Sequence, residues 1–149
     1  MTAINNNKDL WIYGRHSVFS AIANTSRVIK RLLIDGDNFL LEKEINSMIV
    51  KYRRKIVLEK IKKKNIEKYI GKNKKNQGIA ALVSKLENMN FKEIFEYNSF
   101  RVGVFLEGIT DPNNVGAIYR SAFAFNVDFI VTPNNGTLKE NSALINNSC

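Results

Sequence analysis

Apolar positions in this chain follow two alternating rhythms, short β-branched or aromatic runs and longer stretches spaced as one face of a helix. That alternation is the pattern of an α/β protein rather than of a helical bundle or a β-sandwich. Residues 10–13 read as a short strand, and Gly14 then introduces a helix over residues 15–23 with Val18, Ala21 and Ile22 on one face. Residues 28–34 form the next strand, closed by the turn residues Asp35-Gly36-Asp37. Leu41, Ile45, Met48, Ile49 and Tyr52 keep the spacing of an amphipathic helix. Residues 56–58 predict a third strand, residues 66–70 a short helix, and residues 71–78 a polar loop that ends at the apolar run 79–83. These elements close a first α/β lobe.

The remainder is organised separately. Residues 87–99 read as a linker holding one helical turn through residues 91–95. A buried strand is expected at residues 101–106, a loop at 108–113, a helix at 115–125 and a strand at 129–132, which together make one βαβ unit. Residues 133–136 end that strand in a turn, and residues 142–148 begin a further helix. Two parallel strands are too few for an independently stable sheet. This half is therefore expected to pack on the first lobe, to pair with another copy, or to continue beyond the sequence in hand.

Composition narrows the function classes. The 149 residues are 44% hydrophobic and 25% charged, so a core can form and wholesale disorder is excluded. The longest apolar run, residues 79–83, is far short of a bilayer span, and residues 1–10 are too polar for a signal peptide, so a cytoplasmic protein without membrane contact is expected. One cysteine, Cys149, and one histidine, His16, exclude a disulfide framework and a Cys- or His-rich metal site.

Charge changes the picture more than composition does. Residues 1–86 hold 19 basic and 7 acidic side chains, net +12, whereas residues 87–149 hold 4 and 7, net −3. Within residues 51–75, 12 Lys or Arg face only Glu59 and Glu67, with the runs Arg53-Arg54-Lys55 and Lys62-Lys63-Lys64. Two readings are open for this segment: a solvated helix face, or a surface that attracts nucleic-acid phosphate through counterion release. Arg15 and His16, just after Gly14 at a helix start, either touch the same phosphates or face solvent. Trp11, Tyr13 and Phe19 either stack on bases or fill core, and core is the expectation for Phe19, as it is for Phe123, Phe125 and Phe129.

Candidate chemistry concentrates in the segment Asp111-Pro112-Asn113-Asn114-Val115-Gly116-Ala117-Ile118-Tyr119-Arg120-Ser121-Ala122, where a strand ends and a helix begins. Ligands in parallel α/β sheets bind at the carboxyl ends of strands. Asp111 and Asn113 read equally well as helix caps, with Asn114 at or near the cap. Arg120, on an otherwise apolar helix, must snorkel, pair with Glu107 or Asp111, or bind an anion.

That segment resembles the first motif of the SpoU (TrmH-like) RNA 2′-O-ribose methyltransferases of the SPOUT superfamily. Ile12-Tyr13-Gly14-Arg15-His16-Ser17-Val18 is similar to the opening of the family's N-terminal substrate-binding domain, and Asn76-Gln77-Gly78-Ile79-Ala80-Ala81 to its close. The resemblance implies an α/β fold in which a small RNA-binding domain (residues 8–86) precedes the first part of a trefoil-knot methyltransferase domain (residues 100–149). It implies methyl transfer from S-adenosylmethionine to a ribose 2′-hydroxyl, in ribosomal RNA in preference to transfer RNA, by a homodimer. Asn114 and Arg120 match the family's active-site positions, and Arg15, His16, Arg53, Arg54, Lys62, Lys63 and Lys64 are the candidate RNA contacts. The family's two later cofactor motifs, a Gly-rich loop containing Glu and a Ser-Leu-Asn segment, do not occur within these 149 residues, so no cofactor-binding residue is assigned. A non-catalytic RNA-binding module is the alternative reading.

Overall fold

The computed structural model describes residues 9–86, 91–96, 102–133 and 145. The chain divides into two compact units, Met1–Leu86 and Glu87–Cys149.

The first unit is a four-stranded mixed sheet with three helices. Its elements are β1 (Asp9–Tyr13), α1 (Arg15–Ala23), β2 (Ile29–Asp35), α2 (Phe39–Lys51), β3 (Leu58–Ile61), α3 (Lys63–Ile70) and β4 (Ile79–Ser84). The strand order is β1-β4-β2-β3. The last strand, β4, enters between the first two and pairs antiparallel with both, while β2 and β3 are parallel. Burial explains the order. The run 79–83 is almost wholly apolar, and a strand apolar on both faces is stable only in the middle of a covered sheet. Ile79, Ala80, Ala81 and Val83 are accordingly fully buried. Ile12, Leu32 and Ile34 of the sheet are buried, as are Val18 and Ile22 of α1, Leu41 and Ile45 of α2, and Ile66 of α3.

Several boundaries differ from the local pattern. The third strand is Leu58–Ile61 rather than 56–58, because its backbone pairs with Leu32 to Asp35 of β2, which leaves the apolar Val57 exposed. Phe19 is half-buried beneath the Arg15 guanidinium, 5.4 Å from its ring, rather than in the core.

The second unit contains α4 (Phe91–Glu96), β5 (Gly103–Phe105), α5 (Pro112–Ala124) and β6 (Phe129–Val131). β5 and β6 are parallel, with Val104 opposite Ile130. Leu106 and Val115 form a small core against Val104, Ile109, Ile118, Tyr119 and Ile130. The expected burial of β5, Phe123 and Phe125 is not met, while Phe129 is half-buried. Phe105 is 64% exposed and touches Phe129 edge-on, while Phe123 and Phe125 are 87% and 82% exposed. The two described strands, of three residues each, leave the end of α5 and the Phe125 cap exposed. The helix expected at residues 142–148 lies outside the described residues except for Ile145, which is helical.

Candidate functional site

Gly14 takes φ +85° and ψ 154°, a region essentially reserved for glycine, and turns the chain from β1 into α1. A glycine has no side chain with which to cap a helix. The missing acceptor comes from elsewhere: the Arg15 amide donates to Gln77 Oε1 at 2.8 Å, and the Gly14 amide to the Ile79 carbonyl at 3.2 Å. Gln77 reaches this position from a tight turn in which the Gly78 amide donates to the buried Asn76 Oδ1 at 2.9 Å. The same turn is tied to β2, since the Asp35 amide donates to the Gly78 carbonyl at 2.8 Å, and the Gly36 amide reaches the Ile61 carbonyl at 3.0 Å. The two stretches that carried the family resemblance in this half are therefore hydrogen-bonded to each other at one end of the sheet.

That end gathers cations. Arg15 and His16 start α1, the latter exposed; Lys72, Lys74 and Lys75 are exposed on the loop before Asn76; Lys62, Lys63 and Lys64 are exposed where β3 passes into α3. β2 and β3 are parallel and both end here, so the three lysines lie beside the Asp35-Gly36 turn. Their placement opposes local helix electrostatics. α3 begins with three lysines and no acidic residue in its first turn, although a helix N-terminus favours negative charge by about 0.3–1 kcal/mol per group. Local conflicts of this kind are expected at functional or strained positions.

Arg53 and Arg54 are not part of this cluster. They follow the C-terminus of α2, at the opposite end of the sheet, where Arg54 donates to the carbonyls of Asn24 at 3.3 Å, Thr25 at 3.1 Å and Arg27. Its guanidinium ties the loop after α1 in place. Arg15 is partly engaged by Glu44 of α2 in an ion pair. On the sheet face, Arg31 forms two bonds to Glu59, at 2.8 and 2.6 Å, and lies against the rings of Tyr69 (5.0 Å) and Trp11 (5.7 Å). The bond from Arg31 holds the Glu59 carboxyl below its ordinary range, and Glu59 first, then Tyr69, hold Arg31 above its own. Trp11 and Tyr69, 5.0 Å apart, belong to this structural group.

In the second unit Asp111, one of the two residues read as caps, is the cap of α5. Asp111 Oδ1 accepts from the Asn113 amide at 3.0 Å and from Asn113 Nδ2 at 3.1 Å, and Pro112 occupies the first turn, where a missing N–H costs nothing. Asn114 is thus inside the first turn and exposed. Arg120 is also exposed, six residues on, which is about 9 Å along the axis and about 120° around it. Val115, Ile118 and Ala122 turn inward between them. The helix alone does not bring Asn114 and Arg120 to one point.

Pattern reading took Lys72, Lys74 and Lys75 only within the basic segment 51–75, and Gln77 only within the motif 76–81, without singling them out as parts of this end of the sheet. The available signal was Gly14 itself, a helix start that must borrow its cap. Among the described residues no group of three or more metal-ligating side chains occurs, and no helix is long and apolar enough to cross a membrane.

Comparison with known proteins places this arrangement in a class. The fold matches the SpoU methyltransferase AviRb from Streptomyces viridochromogenes with a TM-score of 0.70 at 18% identity, covering 95% of this chain and 51% of that one. An rRNA methyltransferase from Sinorhizobium meliloti matches with a TM-score of 0.61, also at 18% identity, over 95% of this chain and 51% of that one. The α/β class expected from the apolar rhythm is therefore that of the SpoU methyltransferases over half their length. A family model described as RNA 2′-O ribose methyltransferase substrate binding matches residues 11–89, and the chain belongs to that family. Relatives assigned to the TrmH family of tRNA/rRNA methyltransferases include proteins from Staphylococcus epidermidis, 30% identical over 131 residues, and Staphylococcus haemolyticus, 28% identical over 131 residues. Each match covers 85% of this chain and 51% of the relative, so the chain spans about half the length of the relatives it matches.

Proposed function

We propose that the first unit grips RNA at the end of the sheet that carries Arg15, His16 and Lys62 to Lys64, and that the chain serves 2′-O-ribose methylation of ribosomal RNA in preference to transfer RNA. The observation that carries this reading is the convergence of these cations on one edge, within the segment matched by the substrate-binding family. Lys72, Lys74 and Lys75 extend the binding edge, Arg53 adds charge at the far end, and Arg54 acts by holding the α1–β2 loop.

The cofactor in this reading is S-adenosylmethionine, which supplies an electrophilic methyl group. Among the described residues the sheet of the second unit has two strands, and the two cofactor motifs of the family are not among the 149 residues, so no residue here is assigned to hold it. The chain's own contribution to chemistry is the start of α5. Asn114 orients the ribose, and Arg120, always charged and so a poor proton acceptor, stabilises negative charge developing on the 2′-oxygen and holds the adjacent phosphate. A cytoplasmic setting and a homodimeric methyltransferase domain belong to the same proposal.

The test is RNA affinity of the chain as a function of salt. The K62Q/K63Q/K64Q variant is expected to bind more weakly and to lower the slope of log K against log salt by about 0.7–0.9 for each phosphate that is no longer neutralised. An unchanged slope refutes the assignment of these lysines. Calorimetric titration with S-adenosylmethionine tests the second part: absence of binding restricts this chain to RNA recognition.

A further inference from the structure

We propose that Phe39 is a stacking anchor for an unpaired base, so that the RNA recognised here presents an extruded nucleotide beside its stem phosphates. The inference rests on the RNA-binding reading above and adds the shape of the substrate.

α2 docks through Leu41 and Ile45, both fully buried. At 100° per residue Phe39 lies about 160° and Leu40 about 100° from Leu41, so neither can join that stripe. They are 73% and 77% exposed. A single exposed apolar side chain needs no explanation, but the surroundings of this pair do. Phe39 follows Asn38, which caps α2 through Leu41, and stands three residues after Gly36. Gly36 is bonded to Ile61, immediately before Lys62-Lys63-Lys64, and Asp35 is bonded to Gly78, immediately after Gln77 and three residues after Lys75. One turn further along α2, Glu42 pairs with Lys60 at 2.7 Å, and Glu44 pairs with Arg15. Phe39 therefore starts its helix at the end of the sheet where both cation-bearing loops emerge, with Asp35, Asp37 and the ion-paired Glu42 and Glu44 as its own acidic neighbours along the chain.

A flat apolar face at the cation-bearing end of the sheet meets both needs of an unstacked nucleotide, a surface for the base and positive charge for its phosphates. A paired stem offers no base face to it. A second copy of the chain fits the surface poorly: a standard interface buries about 800 Å² per partner, several times what Phe39 and Leu40 can supply, and both copies would present the same excess of positive charge.

The test compares the full chain with F39A and F39W on two RNAs, a hairpin with an unpaired loop carrying 2-aminopurine and a blunt duplex of the same stem. Thermal melts are expected to coincide, since Phe39 is largely exposed. F39A is expected to weaken hairpin binding about 5- to 150-fold, leave duplex binding and the salt slope unchanged, and abolish quenching of 2-aminopurine. F39W is expected to retain both affinity and quenching. Equal hairpin affinity for F39A, with weakening only in K62Q/K63Q/K64Q, overturns the stacking role and leaves the RNA reading standing. Equal losses on both RNAs, or a changed elution volume without a change in RNA affinity, also overturn it. Failure of the unmodified chain to bind either RNA overturns the RNA reading itself.

Discussion

Substitution of Gln77 separates two roles that coincide in one side chain. In the native fold Gln77 Oε1 accepts from the Arg15 amide at 2.8 Å, supplying the cap that Gly14 cannot. Alanine removes that acceptor. Loss of an N-cap acceptor costs about 0.5–2 kcal/mol, and because this helix end is exposed, water replaces part of the bond and the lower half of the range applies. For a unit of this size that corresponds to a fall of about 2–8 °C in the midpoint of its melt. Glutamate behaves differently. Its carboxylate keeps the acceptor and adds a negative charge near the start of α1, worth about 0.3–1 kcal/mol at low ionic strength, yet it sits among the cations assigned to phosphate. The expected result is opposite signs: Q77A melts lower and keeps most of its RNA affinity, while Q77E melts at or above the unmodified chain and binds RNA more weakly. Circular dichroism melts at low salt and RNA titrations read the two effects independently. If Q77E lowers the melt as much as Q77A does, the borrowed cap is not what Gln77 supplies.

Two further outcomes follow from the same physics. Glu59 is held below its ordinary pKa of 4.5, chiefly by the bond from Arg31, so its ionised form stabilises the fold above that pH, and the contribution disappears as pH falls through the lowered value. With both side chains more than a third exposed, the difference between the unmodified chain and E59Q is expected to be about 0.2–1 kcal/mol at neutral pH and to vanish in acid, as denaturant titrations across pH will show. R54A, losing a charged donor shared by three loop carbonyls, is expected to cost about 1 kcal/mol while leaving the salt slope of RNA binding unchanged; a reduced slope would place Arg54 on the RNA instead.

Much of the local architecture was legible because its causes are local. Gly14 before a helical stripe, Asp35-Gly36-Asp37 after an aliphatic run and the uninterrupted 79–83 segment mark boundaries that the fold keeps to within a residue or two. Errors arose where distant backbone decides. The third strand moved to Leu58–Ile61 because pairing with β2 outweighed the apolar run 56–58. Phe123 and Phe125 stayed exposed, where a sheet was expected to cover them.

The sequence by itself determined the strand and helix rhythm, the excess of positive charge in the first 86 residues and the motifs at residues 12–18, 76–81 and 111–122, since each is a property of neighbours along the chain. Which cations act together was decided only in three dimensions. Arg53-Arg54 and Lys62-Lys63-Lys64 are a few residues apart and look like one basic run, but β3 lies between them, and crossing a strand carries the chain from one end of the sheet to the other. Gln77 and Arg15, 62 positions apart, are brought together because β4 inserts between β1 and β2. Periodicity records which face of an element is buried, whereas the end of the sheet at which a loop emerges depends on strand order, and strand order is set by non-local pairing.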